Sequence, residues 1–177
     1  MHANPLERRQ WGAAIWIAVL LGVTIVLAVG REYFERRRVH SLVLSEGVRA
    51  LVHGRSRLDA GASSAHTLKL WLDGEAVIDT PATATLTLRS TLLEVSSERG
   101  EPTRFYIDAY AEQPGAQVLV LRGYVQVRKA YASPSPESYR LGPGEMLMVN
   151  RDIDFMEREK FTPMELPDWV RSAGSTP

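Results

Sequence analysis

The sequence predicts a mainly β protein, in which one N-terminal transmembrane helix is followed by a small antiparallel β sandwich or roll. Three observations predict this fold class. Residues 13–29 form an uncharged apolar run, residues from 66 onward alternate between apolar and polar side chains, and Gly, Pro and Ser separate the alternating segments. A chain of 177 residues has room for one domain of ordinary size and an anchor.

The apolar run is long enough for a membrane anchor, which we place at residues 13–30 after a short cytoplasmic tail of residues 1–12. Crossing roughly 30 Å of hydrocarbon takes about 20 helical residues. Trp11, Trp16 and Arg31 are expected at the membrane interface. A cleaved signal peptide ending near residues 28–30 and a buried core helix are the alternatives.

Charge leaves the orientation of the anchor open. Arginines 31, 36, 37 and 38 follow the apolar run, whereas only arginines 8 and 9 precede it. The arginine count therefore favours a cytoplasmic C-terminal domain, but long domains are exported largely regardless of flanking charge. Residues 31–41 are expected to extend the helix as a juxtamembrane stalk.

A β-rich domain is predicted over residues 42–160. In residues 66–74 the leucines fall on one face, and in residues 83–90 Ala84, Leu86 and Leu88 share a face opposite threonines. Further strands are predicted at 91–97, 103–110, 116–123, 124–130 and 145–150, with a loop over 55–65. Residues 161–177 are predicted to be an extended, Pro-containing tail that folds back onto the sheet or docks on a partner.

Composition argues against several classes of function. Lys and Arg number 21, as do Asp and Glu, so no basic field indicates nucleic-acid binding. The chain has no cysteine, and its four histidines lack the spacing of metal ligands, so neither a metal nor a cofactor is expected. Asp152 and Asp154 suggest only a solvated strand edge, and no acid, base and nucleophile set indicates an enzyme.

Aromatic residues are the candidates for partner contact. Tyr106, Tyr110 and Tyr124 lie on predicted strands, and Trp169 lies in the tail. Tyrosines on a sheet more often cover a half-buried surface, but they also line grooves that bind peptide or sugar.

Three stretches between residues 68 and 149 resemble the FecR family. They are LKLWLDGEAVID with TPATATLTLRSTLLEV (68–95), VLVLRGYVQVRKA (118–130) and YRLGPGEMLMV (139–149). Glycines 74, 123 and 144 are expected at strand reversals. The family's Gly-Thr pair is Ser90-Thr91 here, and residues 101–117 are longer than usual.

The resemblance implies an envelope-side signalling domain of the kind that partners extracytoplasmic-function sigma factors. The residues before the anchor are too few for the family's cytoplasmic sigma-binding region, so anti-sigma activity is not expected here. What remains is a single-pass protein of the bacterial inner membrane with a periplasmic domain that contacts an envelope or membrane protein, for example by strand addition. An envelope scaffold or carbohydrate-binding module is the alternative.

Overall fold

The computed structural model describes residues 38–61 and 67–173. The predicted tail 1–12, anchor 13–30 and interface residues Trp11, Trp16 and Arg31 lie outside these ranges. In the ranges that are described, no helix has the length and apolar character needed to cross a membrane.

The described chain is mainly β, as predicted. The strands are β1 (Val39–Val43), β2 (Arg49–Ala60), β3 (Thr67–Thr80), β4 (Thr85–Arg89), β5 (Leu93–Ser97), β6 (Thr103–Ala109), β7 (Gly115–Arg122), β8 (Val125–Lys129), β9 (Ser138–Leu141), β10 (Glu145–Asn150) and β11 (Phe155–Lys160). Short 3₁₀ turns lie at Ser45–Gly47 and Pro163–Glu165, and helix α1 covers Asp168–Ala173.

All the described strands belong to one sheet organised around the 14-residue strand β3. Along one side, β3 pairs with β2, which in turn carries β1. Along the other side, the first half of β3 pairs with β4 and the second half with β6. The strand order is therefore β11-β10-β7-β6-β3-β4-β5-β8-β9, with β2 and β1 attached to β3.

The sheet curls back on itself, because β9 at one end of this order is joined to β10 near the other end by residues 142–144 only. The prediction of a sandwich or roll is thus refined to a single curled sheet. The prediction of wholly antiparallel pairing is wrong for one pair, since β3 and β4 run parallel. The second half of β3 and residues 81–84 carry the chain from the paired first half of β3 to the start of β4, so β4 runs in the same direction instead of returning as a hairpin.

The main core lies on the inner face of the curl, and the period-two pattern predicted it correctly. Leu68, Leu70 and Leu72 of β3 are at most 4% exposed, and Leu86 and Leu88 of β4 are fully buried. Successive side chains of a strand point to opposite faces, so one alternating set can fill the interior of the curl.

Two predicted segment boundaries are corrected. The loop expected at 55–65 is strand as far as Ala60, because β2 continues through a bulge to pair with the first half of β3. Residues 39–41 of the expected stalk 31–41 belong to β1 and pair with β2.

A second apolar cluster lies on the outer face of the sheet, beneath the C-terminal tail. Val77, Tyr106 and Leu119 form its base, and Val170 of α1 packs on them. Phe161, Leu166 and Trp169 complete the cover. The tail is therefore not extended as predicted, but forms a 3₁₀ turn and a short helix on its own sheet, because burying these side chains favours the compact arrangement.

Candidate functional site

A three-residue bulge positions the polar centre of the outer face. Residues 54–56 of β2 lie opposite the single residue Gly74 of β3, between the pairs His53–Glu75 and Arg57–Asp73. The Ser56 hydroxyl donates to the His53 carbonyl at 2.6 Å and accepts from the Glu75 backbone N–H at 2.7 Å. The bulge thus fixes His53 and Glu75 beside each other.

Gly74 is required at this bulge. Its φ is +125°, and a Cβ placed on it would lie 2.2 Å from the Ser56 Oγ. The resemblance placed Gly74 at a strand reversal, but it lies within β3, whereas Gly123 and Gly144 do lie in turns. The close approach of two backbones, rather than a turn, explains Gly74.

The Glu75 carboxylate is the acceptor at the middle of what we call the Glu75 centre: His53, Glu75, Tyr106, Tyr110 and Trp169. Its Oε2 accepts from the Tyr106 hydroxyl and from Trp169 Nε1–H, both at 3.2 Å. Its Oε1 accepts from the Tyr110 hydroxyl at 3.3 Å. His53 Nδ1 lies 3.6 Å from Oε2. A half-buried carboxylate with several donors is well compensated for lost water.

Ring contacts hold the tail on this centre. The Trp169 ring stacks on His53 with 4.9 Å between centroids and an interplanar angle of 4°. It meets Tyr106 edge-on at 5.9 Å and 65°. Aromatic pairs at these distances and angles add to the burial energy, so Trp169, together with the buried Val170, attaches α1 to the sheet.

The tyrosines of the centre stay protonated at physiological pH. Burial, and then the negative charge of Glu75, raise the pKa of Tyr106 far above its usual value. Burial also raises the pKa of Tyr110. Both hydroxyls therefore remain hydrogen-bond donors to Glu75.

Three of the four predicted contact residues, Tyr106, Tyr110 and Trp169, meet in this centre. Tyr106 is only 1% exposed because the tail covers it, so a partner could reach it only with the tail displaced. Tyr124 lies elsewhere, 43% exposed, with the Arg140 guanidinium 4.3 Å from its ring centroid. Partner contact by these four residues stays a prediction.

Sequence reasoning missed a second polar cluster, which bridges the two ends of the curled sheet. Lys129 of β8, whose side chain is 3% exposed, donates to Asp154 Oδ1 at 2.7 Å and to Ser133 Oγ at 3.0 Å. Ser133 donates to Asp154, and the Tyr131 hydroxyl lies 3.4 Å from Oδ1. These hydrogen bonds from Lys129 and Ser133 hold the pKa of Asp154 below its usual value.

The expectation for the pair Asp152 and Asp154 is therefore corrected. They lie in the turn between β10 and β11 rather than on a strand, and Asp154 is bound to Lys129. The signal that could have found this pair is Lys129 itself, a charged residue at an inward-facing position of β8. Such a lysine needs an acidic partner, but its sequence position does not say which one.

The hydrogen bonds of the Glu75 centre converge on one carboxylate. Tyr106, Tyr110 and Trp169 donate to the Glu75 carboxylate. The Ser56 hydroxyl contacts the His53 carbonyl, the Glu75 N–H and, at 3.5 Å, the Tyr110 hydroxyl. Within residues 38–61 and 67–173, no three metal-ligating side chains come together.

Comparison with known proteins identifies the fold. No family model and no curated protein matches the sequence. Two crystal structures of a candidate anti-sigma factor from Parabacteroides distasonis, at 1.65 and 2.50 Å resolution, are similar to this chain with a TM-score of 0.64 and 17% identity. The similarity covers 76% of this chain and 61% of that chain, so this chain spans somewhat under two thirds of its neighbour.

The described β domain has a fold similar to that of this candidate anti-sigma factor. At 17% identity the likeness shows the fold alone. This similarity of fold is consistent with the resemblance of the sequence to the FecR family.

Proposed function

We propose that this chain is a membrane-anchored, non-catalytic FecR-like domain of the bacterial inner membrane, which faces the periplasm and acts in signalling or protein assembly in the cell envelope. The fold of the anti-sigma factor kind and the apolar run at residues 13–29 support the proposal. Anti-sigma activity itself is not part of the proposal.

The unpaired edge of β1 is the surface at which we propose that a partner binds. All five residues of β1 are exposed, with Val39 at 41%, Leu42 at 38% and Val43 at 75%. In the ranges that are described, β1 pairs only with β2, so its other edge offers backbone groups to an added strand.

The described sheet has three edge strands, β1, β9 and β11, and their sequences favour β1. β9 is only four residues long and contains Arg140, and short or charged edge strands resist pairing. β11 contains Glu157, Arg158, Glu159 and Lys160, and such charges protect an edge against pairing. β1 has no Lys, Arg, Asp, Glu or Pro. We therefore propose that an extended segment of an envelope protein adds to β1.

Site-specific photo-crosslinking in the intact bacterium tests this proposal. A photoreactive residue at Val43 should give an adduct of discrete mass, and Val39→Lys should abolish the adduct by charging the edge. Met164, which is 82% exposed in the tail, is the matched control position. Equal adducts at positions 43 and 164, or none at position 43, would contradict strand addition at β1.

Orientation is tested separately with two C-terminal reporters, one active only after export and one active only in the cytosol. Activity of the export-dependent reporter would support a periplasmic location of the C-terminal domain. Cytosolic activity would agree with the arginine count and would overturn the envelope function.

The carbohydrate-binding alternative expects an open groove with several rings on one side. Tyr106 is covered by the tail, and Tyr124 is paired with Arg140 outside the Glu75 centre. These positions give that alternative no specific support.

A further inference from the structure

An open pocket lies on the outer face of the sheet beside the Glu75 centre. Its volume is about 410 Å³, within the usual size range of small-molecule sites. Asp108 of β6, Gln117 of β7 and Met148 of β10 line it as direct cross-strand neighbours. On the same three strands, each of these residues is two positions from Tyr106, Leu119 or Met146, the neighbouring row that the C-terminal tail covers. The pocket therefore begins where the tail ends its cover of the sheet.

The polar wall of the pocket contains the Asp108 carboxylate. Asp108 Oδ1 is buried and has no hydrogen-bond partner among the residues that the structure describes. Burial, and then the charge of Glu75, raise the pKa of Asp108 to about 6, and a hydrogen bond from the Gln117 side chain partly opposes this rise. Because this carboxylate is mainly ionised at neutral pH and one of its oxygens lacks a donor, a cation in the pocket beside it would be bound favourably.

The apolar wall comes from a turn that is held in an uncommon conformation. Asp154 has a φ of +46°, and its hydrogen bonds to Lys129 and Ser133 fix the turn. The turn presents Ile153, which is 72% exposed, and Phe155, which is 39% exposed, to the pocket. Because buried Lys129 fixes the turn through Asp154, the two exposed apolar side chains beside Asp154 are held in a defined position.

We propose that this pocket binds an aliphatic cation, with a primary ammonium or guanidinium group beside the Asp108 carboxylate and an apolar chain against Met148, Ile153 and Phe155. A neutral donor could form a hydrogen bond with the Asp108 carboxylate but would not balance its negative charge. An anion would be repelled by that charge. The cation belongs either to a free amine or to a lysine or arginine side chain of a partner, which carry the same chemistry.

Binding is tested with three probes of equal chain length, n-pentylammonium, n-pentanol and pentanoate, titrated into the full chain in detergent micelles. Calorimetry should show n-pentylammonium binding at least about tenfold more tightly than n-pentanol, a gap of about 1.4 kcal/mol, with no saturable binding of pentanoate. Asp108→Asn should weaken n-pentylammonium binding by about tenfold or more.

Two further variants separate the pocket from general effects. Asp152→Asn removes an exposed carboxylate from the neighbouring turn and should leave binding unchanged. Phe155→Ala should weaken binding of n-pentylammonium while leaving its preference over n-pentanol intact, because the charge contact remains. Asp108→Asn keeps the side-chain volume and removes a buried charge, so the domain is expected to fold, which circular dichroism verifies.

The source of the cation is distinguished by an extended pentapeptide with a central lysine flanked by alanines. Tighter binding of the peptide than of n-pentylammonium assigns the pocket to a partner's side chain, and the reverse order assigns it to a free amine. Absence of n-pentylammonium binding, or equal binding to wild type and Asp108→Asn, would overturn the proposal. Val39→Lys should bind the probe normally, so this result is independent of strand addition at β1.

Discussion

Replacing Trp169 by alanine should detach the tail from the sheet. The substitution removes the stack on His53, the edge contact with Tyr106 and the hydrogen bond to Glu75. Two ring contacts at about 0.5 kcal/mol each and one bond to a carboxylate at about 1.5 kcal/mol sum to about 2.5 kcal/mol. Deleting a fully buried aromatic side chain costs about 3–5 kcal/mol, and Trp169 is half-buried, so the two estimates agree.

Calorimetric unfolding of the full chain in detergent micelles measures this loss. At about 2–4 °C per kcal/mol for a domain near this size, Trp169→Ala should lower Tm by about 5–10 °C. Trp169→Phe keeps a ring and loses the N–H donor, so it should cost only about 1 kcal/mol.

Trp71→Ala is the matched control, because Trp71 is 41% exposed on β3 and lies outside the Glu75 centre. It should cost less than about 1 kcal/mol. A Tm for Trp169→Ala equal to that of Trp71→Ala would refute the view that Trp169 attaches the tail.

Two other positions give predictions of different kinds. Gly74→Ala should destabilise the domain by about 3 kcal/mol or more, measured by urea unfolding, since its Cβ meets Ser56, whereas Gly144→Ala meets nothing within 4 Å and should cost about 1 kcal/mol for its positive φ alone. The folded state lowers the pKa of Asp154, so its contribution is complete above the unfolded pKa of about 3.9 and is lost as pH falls through the folded value. Lys129→Met should flatten the fall in urea midpoint below about pH 4, and an unchanged acid profile would contradict this linkage.

The strands themselves were largely predictable. Alternation over 66–74 and 83–90 identified β3 and β4 and the faces that they bury, because side-chain direction in a strand depends only on position. β11 was missed because its sequence, FMEREK, is mostly charged and exposed, so no buried face imposes a period-two pattern. β2 was not predicted, because residues 42–54 mix helical and strand spacing and the bulge at residues 54–56 interrupts the alternation of the rest.

The candidate site was predictable only in part. Its aromatic members were singled out as tyrosines on strands and a tryptophan in the tail, but Glu75 was not, since one acidic residue on a polar face looks like any solvated residue. The bond from Trp169 to Glu75 joins residues 94 positions apart. Local sequence patterns span only a few residues and cannot predict a contact between residues so far apart in the chain.

The sequence by itself determined the composition limits, the apolar run, the positions of most strands and the residues that face the interior. Tertiary structure decided the parallel pairing of β3 with β4, the curl, the contact of Lys129 with Asp154 and the docking of the tail on Glu75. The division has a physical cause. Alternation and turn chemistry act over a few neighbouring residues, whereas strand order and ion pairing depend on which apolar faces pack together across the whole domain.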